Sequence, residues 1–410
     1  MSTELLVRGA SPAAEVATRV IVMVDLGTFT PFYDLELAAA LRAEGWRVEL
    51  VMPEYEFESV APGGTRPWRT SLLRLPHGRR RRHLGAPRQA LRAVLYMGDL
   101  IRLDRLLARL SPSLVHVQWA HLPWLDRILW RRWRAAGWKV VYTAHDATPL
   151  DGTTPPLLAG SYASLVDRAD AVVVHSEVAR ASLVDAGATP GNVHVIPPAS
   201  PFTPGPGTPG REEARRDLGL ASDARVILFF GFLKPYKGLS VLLHSLPAIK
   251  RATGLVKLVI AGEAMEPTAG YDREIVDLGL SDDVDWRPGF VPASQVAALF
   301  AAADVVALPY LDASSSGVLL TAYACRRPVV ASAVGGLPDL VVPGTTGATV
   351  PPGDPAALAA SLAELLADPQ LAARMGESAH RLSLERYTWS GMARQLDELY
   401  GELLRPHSKS

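Results

Sequence analysis

Two lysines, Lys234 and Lys237, stand three residues apart in the segment GFLKPYKG, after an apolar run and before a helical pattern. This order is typical of a buried strand, a turn at Gly231 and the start of a helix. Ammonium groups placed there can reach the oxygens of a diphosphate, and a helix start adds partial positive charge. Because lysine occurs at only six positions of the chain, two lysines in one loop favour anion binding over a merely solvated loop.

A serine-rich loop follows the run that ends at Leu308. The residues Ser315, Ser316 and Gly317 precede an apolar helical pattern, so they offer hydroxyl groups and free backbone N–H groups. Alone, this pattern would indicate an ordinary capped helix. Its place at the end of a second strand of the same sheet favours a phosphate contact, and we include the next residue, Val318, in the predicted site.

The first half of the chain carries a histidine at a similar place. The run VVYTAHD is typical of a strand that delivers His145 to its carboxyl end. An imidazole there could contact sugar hydroxyls or a leaving phosphate, or it could merely close the strand end, and the residues leave both open. We expect structural roles for His116 and His175. The loop that begins at Gly27 is suited to a donor or acceptor contact.

Length and composition limit the classes of protein to consider. The chain has 410 residues, a formal net charge of zero and 48% hydrophobic residues, which is globular composition at a two-domain length. A neutral chain is a poor prior for a nucleic-acid partner. Cys325 is the only cysteine, and no signal peptide or membrane span is recognisable, so a cytoplasmic protein is expected. No Gly-Lys-Ser or Gly-Lys-Thr occurs, which argues against a P-loop nucleotidase.

Short β-branched runs alternate with helical patterns in two sets. This alternation predicts an α/β fold with two doubly wound parallel sheets, whose strand ends face a common cleft. The predicted strands are Val20–Asp25, Val48–Met52, Leu114–Gln118, Val140–His145, Ala171–His175 and Val193–Pro197, then Val226–Gly231, Val256–Gly262, Val284–Arg287, Val305–Pro309, Pro328–Ser332 and Ala348–Pro351.

A Pro- and Gly-rich stretch, 197–210, separates the two sets and marks a domain boundary. We predict a first Rossmann-like domain over residues 1–200 on the acceptor side and a second over 201–388 that binds the donor. The last segment, 389–410, contains a helical pattern from Met392 to Leu404, and we expect it to return to the first domain.

Two clusters combine basic residues with possible membrane contacts. Gly78–His83 reads GRRRRH, and Trp130–Trp133 reads WRRW. Consecutive arginines, or Arg131 and Arg132 between two indoles, could meet anionic lipid headgroups. They could equally be solvated arginines, so a peripheral position at the inner membrane face stays open. No nucleic acid is expected.

Taken together, these segments resemble the family-four (GT4-like) retaining glycosyltransferases of the GT-B architecture, which serve glycan and cell-envelope biosynthesis. The resemblance covers nearly the whole chain, and its motifs are specific as a set. They are the Gly27 loop, TAHD at 143–146, AVVVHSE at 171–177, GFLKPYKG at 231–238, LVIAG at 258–262, PGFVP at 288–292, DVVALPY at 304–310, SSSGVLLTAYA at 314–324, PVVAS at 328–332 and TTGATVPPGD at 345–354.

The resemblance implies transfer of a sugar from a UDP- or GDP-sugar, with retention at the anomeric carbon and without a metal or other cofactor. It assigns Lys237 and Lys234 to the donor diphosphate and His145 to the donor sugar or the leaving phosphate. Phe290, in PGFVP, would border the base.

The chain departs from the family pattern at three positions. Phe232 stands where members commonly carry Arg, and Ala313 and Thr321 stand where many carry glutamates. Thr321 could still hydrogen-bond the ribose. These departures keep open a non-catalytic nucleotide-sugar-binding protein, and the shared architecture keeps open an epimerase or a phosphorylase.

Overall fold

A computed structural model describes residues 19–26, 31–52, 68–69, 86–120, 123–145 and 165–405, with side chains from residue 96 onward in the second helix. Two separate parallel sheets, each covered by helices, organise these residues. The first sheet has seven strands and the second has six, and every pairing is parallel. The predicted α/β fold of the GT-B type is therefore confirmed.

The first sheet is built from alternating strands and helices. In chain order the elements are β1 (Val20–Val24), α1 (Pro31–Ala43), β2 (Arg47–Met52), β3 (Trp68–Arg69), α2 (Ala86–Leu110), β4 (Leu114–Val117), α3 (Pro123–Ala135), β5 (Lys139–Thr143), β6 (Ala171–Val174), α4 (Glu177–Asp185) and β7 (Val193–Val195).

The second half of the chain repeats the alternation and builds the second sheet. Its elements are α5 (Arg211–Asp217), β8 (Arg225–Phe230), α6 (Leu239–Thr253), β9 (Val256–Gly262), α7 (Ala269–Asp277), β10 (Val284–Pro288), α8 (Ala293–Ala302), β11 (Val305–Leu308), α9 (Gly317–Ala324), β12 (Val329–Ser332), α10 (Leu337–Leu340), β13 (Gly347–Val350), α11 (Pro355–Ala367), α12 (Pro369–Arg386) and α13 (Trp389–Leu404).

Strand order places the candidate loops. The first sheet runs β3-β2-β1-β4-β5-β6-β7 and the second runs β10-β9-β8-β11-β12-β13. The order reverses between β1 and β4 in the first sheet and between β8 and β11 in the second. Ligands of open α/β sheets bind beside the carboxyl ends of strands at such reversals. The lysine loop follows β8 and the serine loop follows β11, so both lie at this point.

The burial of the strands explains why their positions could be predicted from the sequence. The central strands β1, β4 and β6 are buried along their whole length, which is what near-continuous β-branched runs require of a parallel sheet. The predicted strands agree with the observed ones to within two residues at each end. The two-residue strand β3 was not predicted, because Trp68–Arg69 is too short to give a periodic signal.

The last helix, α13, packs on the first sheet. Its buried side chains share a core with β1, β2 and α1. Tyr400 is fully buried, and its hydroxyl lies 2.6 Å from Nδ1 of His116, while Asp397 accepts a 2.8 Å bond from Nε1 of Trp46.

The two indoles of α3 are not available for the membrane contact that the sequence left open. The indoles of Trp130 and Trp133 are buried at 1% exposure and pack in the core of the first sheet, with Trp130 beside Tyr142. Only Arg131 and Arg132 of the WRRW segment are exposed. The two tryptophans are three residues apart and therefore share the inner face of the helix. The other basic cluster, Gly78–His83, lies outside the described residues. Among the described helices, none is long and apolar enough to cross a bilayer.

Candidate active site

The lysine loop begins with a close approach of two backbones. Gly231 has a φ of +104°, and its N–H donates to the carbonyl of Ala261 at 3.0 Å. A Cβ at Gly262 would lie 2.0 Å from the carbonyl oxygen of Gly231, so only glycine fits there. The N–H of Leu233 then donates to the carbonyl of Glu263 at 2.9 Å. The turn after β8 is therefore fixed against the end of β9.

The same loop is tied to the end of β11 on its other side. Gly238 has a φ of +68°, and a Cβ there would lie 1.9 Å from the carbonyl oxygen of Pro309. The N–H of Leu311 donates to the carbonyl of Tyr236 at 2.7 Å. Between these contacts Pro235–Lys237 forms one turn of 3₁₀ helix. The position of Lys237 is thus set by backbone contacts on both sides.

Lys237 is the central charged group of this loop. Its side chain is buried at 8% exposure, and Nζ lies 5.5 Å from the ring centroid of Tyr310. A Cβ on Gly231 would come within 2.9 Å of Nζ, so the ammonium group faces the glycine turn. No ion pair among the described residues includes Lys237. Burial lowers the pKa of Lys237 to about 8.

Lys234 lies beside Lys237 at the loop surface. It is half-buried, and its Nζ lies 5.6 Å from the ring centroid of Tyr236. An ammonium group over an aromatic face is held without being neutralised. The loop therefore presents one buried and one partly exposed positive charge.

The serine loop meets the lysine loop at the start of α9. Ser316 is the N-cap, because its Oγ accepts from the N–H of Leu319 at 3.2 Å. Its Oγ also lies 3.4 Å from the hydroxyl of Tyr310. Val318 reaches the glycine turn, since its Cγ2 would lie 3.3 Å from a Cβ on Gly231. The N–H groups of Gly317 and Val318 belong to the first turn of α9, where no helical acceptor exists for them.

These contacts bring most of the predicted donor residues together. Gly231, Lys237, Tyr310 and the start of α9 form one contiguous corner, and Ser315, next to the N-cap, is half-buried. The corner combines an unneutralised ammonium group with a helix N-terminus, and both attract anions. Phe290 is half-buried on the neighbouring loop after β10, where Gly289 donates to the carbonyl of Gly262 at 2.9 Å.

The first sheet places His145 just beyond β5. Its ring stacks on Trp119 at 4.9 Å between centroids, with an interplanar angle of 17°, and meets Tyr33 edge-on at 4.9 Å. Nε2 lies 3.1 Å from Oε1 of Gln118. Burial, then the neighbouring His175 and His116, lowers the pKa of His145 well below its usual value. The imidazole is neutral near pH 7. In the tautomer that donates from Nε2 to Oε1 of Gln118, Nδ1 is an acceptor.

The other two histidines are bonded at both ring nitrogens. His116 lies between Oγ1 of Thr143 at 2.7 Å and the hydroxyl of Tyr400 at 2.6 Å. His175 has Nδ1 2.9 Å from the carbonyl of Ile196 and Nε2 3.5 Å from the hydroxyl of Tyr33. Satisfied nitrogens agree with the structural roles expected for them. Gly27 lies outside the described residues.

The start of α9 and the loop after β12 contact the segment that joins the two sheets and a loop of the first sheet. A Cβ on Gly317 would lie 3.1 Å from Cγ of Pro201. A Cβ on Gly336 would lie 2.8 Å from Oγ of Ser176, which caps α4 after β6. The loops of the second sheet therefore pack against carboxyl-end loops of the first.

Comparison with known proteins decides the family. The model for "Glycosyl transferases group 1" matches residues 224–368, and that for "Glycosyltransferase Family 4" matches residues 33–199. The D-inositol 3-phosphate glycosyltransferase of Corynebacterium efficiens is 34% identical over 299 residues, covering 68% of each chain. That of Corynebacterium glutamicum is 32% identical over 301 residues, covering 68% of this chain and 69% of its own. The chain is a GT4-like glycosyltransferase.

Solved structures similar to this glycosyltransferase have the same architecture. Sucrose-phosphate synthase from Thermosynechococcus elongatus aligns with a TM-score of 0.72 at 22% identity, covering 94% of this chain and 99% of that one. Anabaena HepE, solved in complex with UDP-glucose, aligns with a TM-score of 0.67 at 18% identity, covering 93% and 99%. At this identity the likeness shows the fold, which agrees with the two-sheet arrangement described above.

The structure gives a physical account of two departures of this glycosyltransferase from its family. Thr321 is 3% exposed, and its hydroxyl donates to the carbonyl of Gly317 at 2.8 Å. Its proton is donated inside α9, so a ribose hydroxyl could contact Thr321 only by donating to Oγ1. Ala313 is also buried, and a Cβ on Gly335 would lie 1.4 Å from its carbonyl oxygen. The backbones of the loops after β11 and β12 therefore pack directly against each other, and Gly335 has no room for a side chain.

Sequence reasoning missed a pair of carboxyl groups in the glycosyltransferase. Asp25 and Asp34 are both fully buried, one after β1 and the other in the first turn of α1. Burial, then the nearby Asp25, raises the pKa of Asp34 well above its usual value. An acidic residue at the end of a strand and another in the following helix turn were available signals. That the two approach each other depends on how α1 packs.

Proposed function

We propose that this glycosyltransferase transfers a sugar from a UDP- or GDP-sugar to a hydroxyl acceptor, with retention of configuration. The observation that supports the proposal most is the buried ammonium group of Lys237, which has no carboxylate partner among the described residues. A buried cation without a partner is costly unless a ligand neutralises it. A donor diphosphate would supply the missing negative charge.

In the proposed mechanism, the second domain stabilises the leaving group. Lys237, Lys234 and the N–H groups of Gly317 and Val318 hold the diphosphate oxygens, where negative charge grows as the anomeric C–O bond breaks. The acceptor oxygen bonds to the anomeric carbon on the face that the diphosphate leaves. The acceptor proton passes to the departing phosphate oxygen, so the nucleoside diphosphate is the second product.

His145 would act from the opposite domain as a neutral group. Its Nδ1 can accept a hydrogen bond from a sugar hydroxyl or from an acceptor hydroxyl, because Nε2 is directed to Gln118. A neutral imidazole also avoids a second cation that would stabilise the donor in its ground state. We expect Phe290 to contact the nucleoside and Ser315 to contact the phosphates.

The acceptor is the least constrained part of the proposal. The names of the curated relatives specify D-inositol 3-phosphate as acceptor. Inositol phosphates are therefore the first acceptors to assay, followed by glycans and lipid-linked sugars. We place the reaction in the cytoplasm and expect no metal requirement, so activity should survive addition of EDTA.

A donor panel tests the proposal directly. Thermal unfolding is measured with UDP-, GDP- and dTDP-sugars, since a ligand of the native state raises Tm by mass action. The stabilising donor is then incubated with each acceptor, and the anomeric configuration of the product is read by NMR. A product with inverted configuration would contradict the proposed stereochemistry.

The same experiment separates the competing functions. A non-catalytic binding protein would show a saturable shift in Tm with neither transfer nor hydrolysis. An epimerase would convert the donor to its isomer without an acceptor, and a phosphorylase would need free phosphate. None of these outcomes is expected.

A further inference from the structure

Two neighbouring helices of the first domain lie side by side at the surface. The hydroxyl of Tyr96 in α2 donates to Oδ1 of Asp126 in α3 at 3.0 Å. Eight residues further along α2, Asp104 accepts from Nε1 of Trp133 at 3.2 Å and pairs with Arg132 at 3.0 Å. From the first contact to the second, the residue number rises in both helices, so α2 and α3 run parallel.

The outer sides of these helices carry large apolar residues. Met97 and Ile101 are four residues apart in α2, with 38% and 54% exposure, and Trp124 and Ile128 are four residues apart in α3, with 48% and 56%. A spacing of four places both members of each pair on one helix face. We call the surface formed by these four residues and the exposed arginines between them the α2–α3 face.

On the same two helices the arginines are exposed and the carboxylates are buried or partly buried. All seven arginines between residues 96–110 and 123–135 are exposed: Arg102, Arg105, Arg109, Arg127, Arg131, Arg132 and Arg134. The three carboxylates of these stretches turn inward, with Asp99 and Asp126 at 4% exposure and the Asp104 side chain at 16%. A solvated helix face normally mixes both signs of charge. Arg132 pairs with Asp104, and Arg134 pairs with Asp170 at 3.2 Å. The other five arginines have no ion pair among the described residues, so the α2–α3 face combines uncompensated positive charge with exposed apolar groups.

We propose that the α2–α3 face binds an anionic lipid surface. Arginines attract anionic headgroups, while an indole and aliphatic side chains enter the interface between headgroups and acyl chains. A nucleic acid would explain the arginines, but it has no use for Ile101 and Ile128. This inference does not depend on the donor or the acceptor, and it assigns membrane contact to exposed residues that differ from the buried indoles of the WRRW segment.

Vesicle co-sedimentation with the full chain tests the proposal. The probes are phosphatidylcholine vesicles with and without phosphatidylglycerol, each at low and high salt. The protein should sediment with the anionic vesicles and much less with the neutral ones. Arg127→Gln with Arg131→Gln should weaken that binding about tenfold or more, since each arginine contributes to attraction by the surface potential. Trp124→Gln with Ile128→Gln should lower the binding that remains at high salt.

Matched variants elsewhere on the chain control for charge and apolarity. Arg374→Gln with Arg394→Gln removes two exposed helix arginines, and Val276→Gln with Leu384→Gln removes two exposed apolar residues. Both should bind vesicles like the unaltered protein. The proposal is overturned if the unaltered protein does not bind anionic vesicles, or if the α2–α3 variants bind as well as their controls. Binding to a duplex oligonucleotide in place of vesicles would also overturn it.

Discussion

The ammonium group of Lys237 lies 5.5 Å from the ring centroid of Tyr310, whose hydroxyl lies 3.4 Å from the N-cap oxygen of α9. One aromatic side chain therefore separates the buried cation from the helix start. Burial raises the pKa of Tyr310 to about 12, so the ring carries no charge that would neutralise the lysine. The corner is electrostatically unbalanced until an anion enters.

The first prediction concerns removal of this cation. Lys237→Ala should lower kcat by about 10²- to 10³-fold, because one preorganised group is lost where leaving-group charge develops. Steady-state transfer with the donor found in the panel measures the change. Lys257→Ala is the control, since Lys257 lies on β9 and donates to the carbonyl of Asp282, in the turn before β10. Equal activity of the two variants would remove Lys237 from the mechanism.

The second prediction concerns protons taken up on donor binding. The pKa of Lys237 is about 8 in the free protein, so the ammonium group is charged below that pH and loses its proton above it. A bound diphosphate favours the charged form, so binding at pH 8.5 should take up about half a proton or more. Calorimetry with UDP in buffers of different ionisation enthalpy measures the uptake. Lys237→Arg, which stays charged, should show none.

The third prediction concerns the partner of His145. Gln118→Glu places a carboxylate beside Nε2, and an adjacent negative charge favours the imidazolium form. The pKa of His145 should rise, and the rate should then fall as pH drops through the new value, whereas the unaltered enzyme shows no such limb above pH 6.5. Histidine ring NMR and the pH profile of kcat measure the shift. Gln118→Met changes the side chain without charge, and an identical profile in that variant would refute the electrostatic explanation.

The fourth prediction separates backbone strain from loop collision. Gly238 and Gly279 have nearly equal φ angles of +68° and +67°, but only Gly238 faces another backbone, the carbonyl of Pro309. Gly279→Ala should cost about 1 to 2 kcal/mol of unfolding free energy from the left-handed conformation alone. Gly238→Ala should cost more, and it should weaken UDP binding because Lys237 is displaced. Urea unfolding and UDP titration of both variants measure this. Equal costs and intact UDP affinity would show that the loop tolerates the collision.

The sequence was sufficient to predict the sheets, because parallel strands that are buried on both faces have nearly continuous runs of β-branched residues. It also singled out Lys237 and Gly231, because lysine is rare in this chain and two lysines follow one strand. It could not show that Lys237 is buried without a partner, which depends on the loop after β11. That Thr321 is buried and bonded to Gly317 was likewise out of reach, because packing decides which side of α9 is covered.

The burial of the two tryptophans of α3 could have been predicted from the sequence. Asp126, Trp130 and Trp133 are spaced as one helix face, and this spacing was visible in the sequence. This periodicity places both indoles in the core, although the two residues between them are exposed arginines. The pairing of Asp25 with Asp34 was out of reach, because it joins a strand end to a helix whose orientation is fixed by α13.

The fifth prediction concerns acid sensitivity of the first domain. Burial, then His175, lowers the pKa of His116 to about 3, so folding keeps this ring neutral while the unfolded chain protonates it below about pH 6.5. Its contribution to stability is therefore complete above pH 6.5 and declines by about 1.4 kcal/mol per pH unit as pH falls toward 3. The raised pKa of Asp34 acts in the opposite direction, because on acidification the folded state binds that proton at a higher pH than the unfolded state does.

The pH dependence of the unfolding free energy contains both contributions, but the difference between the unaltered protein and His116→Asn isolates that of the histidine. Urea unfolding at pH 7.5, 6.0 and 5.0 should show the variant less stable at pH 7.5, because the hydroxyl of Tyr400 loses its partner, with a gap that narrows as pH falls. A gap that stays constant with pH would mean that His116 is not held neutral by the fold.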